Sequence, residues 1–269
     1  MVRRGPRLTH LPARSATESE IEAVNADGQK ILGYLNDVAA ERAAHSADPA
    51  FAVRVKAVKA YQHARFANTY ADLLAEPRYG PAARFFLDDL YGPSDFTARD
   101  VQFARIVPAL VRLFPADIVR TVAALAALHA LSEQLDSQMA QLLPGEAGAA
   151  SNTLPDAEAY GDAWRAVGRP ADRERQIQLM LDVGKALDAL TRKPLLRHSL
   201  RLMRGPATVA GLSALQRFLE TGFDTFRAMR GAEGLLDTIA RRERSLAAVL
   251  FAGWRGASFT KDTGNGTSS

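Results

Sequence analysis

The sequence predicts an all-α protein, a multi-helix bundle of about eight to ten helices, and three observations support this fold class. Apolar residues recur at intervals of three and four along nearly the whole chain, as they do on the buried face of an α-helix. No stretch alternates apolar and polar residues convincingly over the length of a β-strand. Prolines and glycines stand where these apolar periods begin and end.

The N-terminal half is predicted to contain five helices. Pro49 opens the second helix, and Pro77 ends it because proline cannot extend a helix and disfavours helical geometry in the residue before it. Pro108 should kink the fourth helix, and Pro115 suits the first position of the fifth. The predicted ranges are 29–45, 49–76, 81–91, 97–114 and 115–143.

Five more helices are predicted after a segment of small and turn-forming residues, 144–155, which is the possible point of subdivision. Their ranges are 156–167, 171–192, 194–204, 207–229 and 232–252. Gly184 shares a helix face with Ile177, Met180 and Leu187, so a neighbouring helix could approach closely there. We expect one helical domain over residues 17–255, between a disordered basic tail at 1–16 and a disordered tail at 256–269.

The composition excludes several classes of site. The chain has no cysteine, which excludes disulfides, thiolate metal sites, iron–sulfur clusters and cysteine nucleophiles and fits a reducing cytoplasm. The first fourteen residues carry four arginines and no acid, and these four account for the whole net charge of +4. A basic tail on a neutral body argues against nucleic acid as a partner. The longest uncharged apolar stretch, 121–131, is too short to span a membrane, so we expect a soluble protein.

The first candidate site is an acidic segment. Four carboxylates within thirteen residues could hold a divalent cation or act as acid and base. The four residues are Asp88, Asp89, Asp95 and Asp100. In the simpler alternative, which we favour, Asp88 and Asp89 pair with Arg84, Arg99 or Arg105, while Asp95 or Thr97 caps a helix.

Within that segment, residues 85–92 read FFLDDLYG. This run resembles the hallmark of an uncharacterised bacterial family that is named for an FFLEELY motif. Asp88 and Asp89 stand where the name of the family has glutamates. The resemblance implies no activity, because none is known for the family.

The second candidate is His129, which lies one helical turn before Glu133 in an alanine-rich helix. The two side chains could meet as a proton-transfer pair or as two metal ligands. A metal would need at least one more ligand, and neither HExxH nor ExxH spacing occurs, so no metal and no cofactor are predicted. A lone histidine in a helix more often makes a structural hydrogen bond.

The third candidate is the basic segment 192–206, which carries five permanent positive charges and no acid. Arg197, Arg201 and Arg204 are spaced to share one helix face beside His198. Gly205-Pro206 is predicted to begin a new helix, whose free amides would also favour an anion. The segment could bind a phosphate, a carboxylate ligand or an acidic partner. In the alternative that we favour, it is a solvated basic face that acids such as Glu174 or Asp182 balance.

Two hypotheses about function follow. In the first, which we prefer, the chain is a helical binding protein, not an enzyme, that recognises an unknown acidic partner or a small anionic ligand. In the second, it is a helical metal-binding protein or enzyme that uses the acidic segment together with His129. An exposed apolar helix face could equally mark a homo-oligomer interface.

Overall fold

The computed structural model describes residues 18–90, 96–143 and 154–253. These ranges form twelve α-helices and one π-helical turn and contain no strand, which confirms the predicted all-α bundle. The helices are α1 Glu18–Ala47, α2 Pro49–Thr69, α3 Ala71–Ala75, α4 Gly80–Arg84, the π-helical turn Phe85–Leu90, α5 Thr97–Leu113, α6 Ala116–Leu142, α7 Ala157–Val167, α8 Pro170–Thr191, α9 Pro194–Leu202, α10 Arg204–Val209, α11 Ser213–Met229 and α12 Glu233–Phe251.

Parts of the predicted organisation lie outside the described residues. These parts are the tails at 1–16 and 256–269 and most of the segment 144–155. The single domain over 17–255 and its subdivision at that segment stay predictions. No helix in the described ranges is both long enough and apolar enough to cross a membrane.

The structure has more helices than predicted because it divides three of the predicted segments. The segment 49–76 breaks at Tyr70, whose side chain is fully buried and whose amide donates to the carbonyl of Phe66. The segment 81–91 continues from α4 into the π-helical turn, where Phe85 and Phe86 are both buried. The segment 207–229 breaks at Gly211, which has a φ of +71°.

The start of α2 is determined by capping residues that can be recognised in the sequence. The carboxylate of Asp48 accepts hydrogen bonds from the amides of Ala50 and Phe51, and Pro49 occupies the first turn of α2. Thr97 is the first residue of α5 and Phe96 is its N-cap, without a side-chain capping bond, so the prediction that Thr97 caps this helix is wrong.

Helix α6 lies at the centre of the bundle and contacts α1, α2, α5, α7 and α8. Helix α8 packs in turn against α11 and α12, and α1 packs against α5. The largest apolar cluster joins α2, the π-helical turn, α8, α11 and α12, and Phe86, Phe226 and Leu235 lie fully buried in it.

Helices α8 and α12 meet at Gly184, as the sequence predicts. A Cβ atom added to Gly184 would lie 2.5 Å from Cδ2 of Leu236, closer than two carbon atoms can approach. The absence of a side chain at Gly184 thus leaves room for the side chain of Leu236, which would have to shift if a Cβ were added.

We expect Gly184→Ala to lower the free energy of unfolding by about 1 kcal/mol, since overpacking costs about 1–3 kcal/mol and alanine regains about 1 kcal/mol of helix propensity. Gly33→Ala is the matched control, because Gly33 is exposed in α1 and an added Cβ would meet nothing within 4 Å. This control should stabilise the protein by roughly 0.5–1 kcal/mol. Urea denaturation checks both variants, and a shift of both in the same direction would contradict the close approach.

Candidate functional site

Helix α6 carries a row of polar side chains that face the inside of the bundle. His129, Ser132, Glu133 and Asp136 are spaced three and four residues apart, so they share one helix face. Glu133 is only 4% exposed and Asp136 only 5%. Carboxylates are rarely buried to this degree without partners. The partners of this row come from α1, α2, α5 and α8.

Glu133 is held by two cations. Both of its carboxylate oxygens lie 2.7 Å from Nζ of Lys59, and Oε1 lies 3.5 Å from Nη2 of Arg42. Burial acts to raise the pKa of Glu133, but the charge and hydrogen bond of Lys59 and the charge of Arg42 outweigh burial and lower it. Glu133 is therefore an ionised carboxylate inside the bundle at neutral pH.

The pKa of Asp136, which lies one turn further along α6, is shifted in the opposite direction. Its Oδ1 accepts a hydrogen bond of 2.8 Å from Nε2 of Gln62. Burial raises the pKa of Asp136, and the negative charge of Glu133 adds to the rise, although Lys59 opposes it. The pKa values of two carboxylates on one helix face are thus shifted in opposite directions.

His129 and Asp100 form a carboxylate–imidazole pair. Nε2 of His129 lies 3.0 Å from Oδ2 of Asp100 and 3.3 Å from Nη2 of Arg42. Nη1 of Arg42 also contacts Oδ2 of Asp100, at 2.9 Å. Burial opposes ionisation of Asp100, but the hydrogen bond from His129 and the neighbouring positive charges lower its pKa. Arg42 lies in no recognisable motif, and sequence analysis missed its role.

These groups line a cavity of about 90 Å³, which we call the first cavity. Its polar wall comes from α2, α5 and α6, and its apolar wall includes Phe103, Leu125 and Leu215. Arg99 also lines it, with its guanidinium 4.1 Å from the ring centre of Phe96. A mainly apolar pocket with a few converging polar groups is the usual form of a small-molecule site.

The predicted acidic cluster does not assemble as a unit. Of its described members, Asp100 contacts His129, whereas Asp88 has a side chain 58% exposed and lies 3.2 Å from Nε2 of His63. Asp89 accepts from Arg99 through its backbone carbonyl, and its pKa is raised by burial and by Asp88.

The pairing predicted for Asp88 is also wrong, because its partner is His63. Arg84 donates to the carbonyl of Leu74, and Arg99 contacts Asp100. Asp95 lies outside the described residues. Within the described part of the chain, no group of three or more His, Asp or Glu side chains is arranged to hold a metal ion.

The predicted basic segment is largely balanced by acids of this chain. Arg197 pairs with Asp224 and Arg204 pairs with Glu220, both on α11. The predicted partners are wrong, since Glu174 binds Arg244 and Asp182 accepts from Gln178. Further pairs join Arg192 to Asp188 and Lys193 to Asp117.

The helix geometry predicted for this segment is corrected as well. Helix α9 ends at Leu202, and Arg204 begins α10, so Arg204 does not share one continuous helix with Arg197 and Arg201. Gly205 and Pro206 lie inside α10 and do not precede it. Arg201 and His198 are exposed, and no carboxylate of the described chain lies within ion-pair distance of either side chain.

The same two helices expose apolar side chains. Ten large hydrophobic side chains are exposed in the described part of the protein, and four of them fall between residues 195 and 209. The exposed fractions are 78% for Leu195, 65% for Leu202, 48% for Met203 and 91% for Val209. We call these four residues, with His198 and Arg201, the α9–α10 surface. Sequence analysis recognised its charges but missed its apolar component.

The chain matches the model of a known family. Residues 41–256, most of the chain, fit the family described as "Domain of unknown function (DUF8198)". The chain belongs to this family. The DUF8198 region begins beside Arg42 and contains the α9–α10 surface and every residue that lines the first cavity except Leu35. No curated protein and no solved structure matches the chain.

Proposed function

We propose that this DUF8198 protein is a soluble helical interaction protein that recognises an acidic partner protein through the α9–α10 surface. The observation that carries the proposal is the concentration of exposed apolar side chains on two short helices that also bear the basic segment. Exposed apolar patches with a polar rim commonly mark interaction sites.

The two kinds of side chain have separate roles in such an interface. Leu195, Leu202 and Val209 supply apolar area, whose burial stabilises a complex by about 25 cal/mol per Å² before ordering costs. The charge of Arg201 contributes to lowering the pKa of Glu220, but no carboxylate of the described chain lies within ion-pair distance of Arg201. A carboxylate from outside would therefore complete an ion pair. Arg197 and Arg204, which pair with acids of α11, form a polar rim around this apolar area.

A photo-crosslinking amino acid at Leu202 should capture a protein with an acidic surface in living cells. The matched control places the crosslinker at Leu113 on α5, which is 70% exposed against 65% for Leu202. Adding Arg201→Glu should reduce the crosslink at position 202 by about tenfold, the effect of roughly 1.4 kcal/mol, without changing the circular dichroism spectrum. Equal labelling at positions 202 and 113, identified by mass spectrometry, would contradict the proposal.

The Asp100–His129 pair favours a second candidate function. In this alternative the protein is a helical enzyme in which the pair transfers a proton to or from a ligand in the first cavity. The favouring observation is the 3.0 Å contact of carboxylate and imidazole beside an apolar wall. A screen with generic esters and phosphoesters compares wild type with His129→Asn, and indistinguishable rates would remove this candidate.

We further infer a bacterial, cytoplasmic member of the FFLEELY-motif proteins. The run FFLDDLYG at 85–92 supports the motif, with Asp88 and Asp89 in place of the two glutamates. The lack of cysteine suits a reducing compartment. A second copy of the chain remains an alternative occupant of the α9–α10 surface, and the crosslinking experiment would identify it by mass.

A further inference from the structure

A second cavity, of about 80 Å³, lies beside the first. Gln62 and Ser132 line both cavities, so the two share a wall between α2 and α6. The second cavity has cationic and hydrogen-bonding groups from α2, α7 and α8 on one side. Its apolar lining includes Phe66, Ile177 and Met180.

Arg173 is the most unusual group in this lining. It is 4% exposed, and its guanidinium lies 3.8 Å from the ring centre of Trp164. Its guanidinium donates hydrogen bonds to neutral acceptors, Oε1 of Gln176 at 3.1 Å and the sulfur of Met139 at 3.0 Å. No carboxylate of the described chain lies within ion-pair distance of this guanidinium. Burying a cation without a counter-ion is costly, so such a group is normally matched by an anion.

Two further donors in the same lining lack acceptors. Nε of Arg65 and Nε1 of Trp164 are buried, and neither has a hydrogen-bond partner in the described chain. Nη1 of Arg65 is used, because it donates to Glu243 at 2.6 Å, and that carboxylate also accepts from the hydroxyl of Tyr70. Most buried polar groups in proteins are satisfied, so two orphaned donors beside one cavity require an explanation.

The charges around the cavity are also out of balance. Arg65 and Arg173 bring two permanent positive charges, and Glu243 brings one negative charge. The pKa of Arg173 is lowered chiefly by burial, which outweighs the opposing electrostatic effects of Tyr160 and of Asp136, and the positive charge of Arg65 adds to the lowering. Asp136 lies outside the lining of this cavity. The lining therefore has a surplus of one cation and two free N–H donors, and a single monoanion would satisfy both.

We propose that the second cavity is a binding site for a small organic monocarboxylate, with its carboxylate at Arg173, Arg65 Nε and Trp164 Nε1. This site lies apart from the α9–α10 surface and does not depend on it. A planar carboxylate matches the guanidinium geometry, and its oxygens can accept from the two orphaned donors. The apolar lining suits the hydrocarbon part of the acid and disfavours a fully hydrated inorganic anion.

Isothermal titration calorimetry of the full-length protein tests this site with acetate, butyrate, benzoate and inorganic phosphate as probes. We expect butyrate or benzoate to bind with a Kd at or below about 1 mM, more tightly than acetate and much more tightly than phosphate. Bound acid should also raise the melting temperature, because a ligand that binds only the folded state stabilises it.

Arg173→Gln should weaken butyrate or benzoate binding by about tenfold or more, because it removes the charge. Trp164→Phe removes one donor and should weaken binding by a smaller factor. Arg244→Gln is the control, since Arg244 is an exposed arginine paired with Glu174, and it should leave the Kd unchanged. Circular dichroism verifies that each variant is folded.

Three results would overturn the proposal. The first is no binding of any carboxylate to folded wild-type protein. The second is an unchanged Kd in both folded variants, Arg173→Gln and Trp164→Phe. The third is binding of phosphate as tight as that of the carboxylates, which would indicate a site for anions in general. Because the probes and variants do not touch α9 or α10, none of these results bears on the proposed partner surface.

Discussion

Replacing Glu133 by glutamine should lower the free energy of unfolding at pH 7 by about 3 kcal/mol. This value is at the lower end of the 3–5 kcal/mol that is typical when one member of a buried ion pair is removed. We choose the lower end because the side chains of Lys59 and Arg42 are 25% and 21% exposed and can partly recover hydration. Glutamine keeps the shape of Glu133 but leaves both cations without its charge.

Asp136→Asn is the matched comparison and should have the opposite sign. Asparagine can still accept the hydrogen bond from Gln62, and it avoids the cost of an ionised carboxylate at a buried position. We expect a gain of the order of 1 kcal/mol at pH 7, the low end of what removing a poorly compensated buried charge provides. Urea denaturation of the three proteins measures the contrast.

The pH dependence of both effects follows from the directions of the pKa shifts. The pKa of Glu133 is lowered in the folded protein, so its contribution is present above the unfolded pKa, about 4, and is lost as pH falls through the folded pKa. The pKa of Asp136 is raised, so stability is lost as pH rises from the unfolded pKa through the folded pKa. For each variant, the difference from wild type in the free energy of unfolding should therefore become smaller at acidic pH. Destabilisation by both substitutions at pH 7 would show that Asp136 is ionised and compensated.

Replacing Phe86 by alanine should lower the free energy of unfolding by about 3–5 kcal/mol, the usual cost of truncating a buried phenylalanine. Phe86 is 1% exposed, and its ring lies edge-on to Phe226 at 5.7 Å between ring centres. The loss follows from the cavity that the missing ring leaves among α2, α8, α11 and α12.

The control for this prediction lies two residues away in the same motif. Asp88→Asn changes a carboxylate whose side chain is 58% exposed, so we expect a change of about 0–1 kcal/mol, as for surface ion pairs generally. Thermal and urea denaturation compare the two variants. A cost at Asp88 as large as that at Phe86 would mean that the acidic half of FFLDDLYG has a structural role that its exposure does not reveal.

The sequence predicts the helices well because helix-forming information is local. The predicted range 171–192 differs by one residue at each end from α8, and 232–252 differs by one at each end from α12. The predicted start of the first helix at residue 29 is late, because residues before it in α1 are mostly exposed and give no apolar period. The break at Tyr70 depends on tertiary burial, which no local pattern reveals.

The candidate sites were less predictable, since they depend on pairs far apart in the sequence. The polar face of α6 could be recognised from the spacing of His129, Glu133 and Asp136. The partners of these residues could not be predicted. Arg42 and Lys59 lie on other helices, where nothing in the local sequence distinguishes them from solvent-exposed charged residues. Arg173 likewise lies in an unremarkable charged run, and only its burial distinguishes it.

The central position of α6 has a consequence for how a ligand would be received. Five neighbouring helices contact α6, and its polar face forms part of the lining of both cavities. The conformational entropy of these side chains is therefore lost when the protein folds, and little more is lost on association. Such preorganisation favours binding with little movement of the backbone. Any movement that lets a ligand enter a cavity would then be made by the helices at the edge of the bundle.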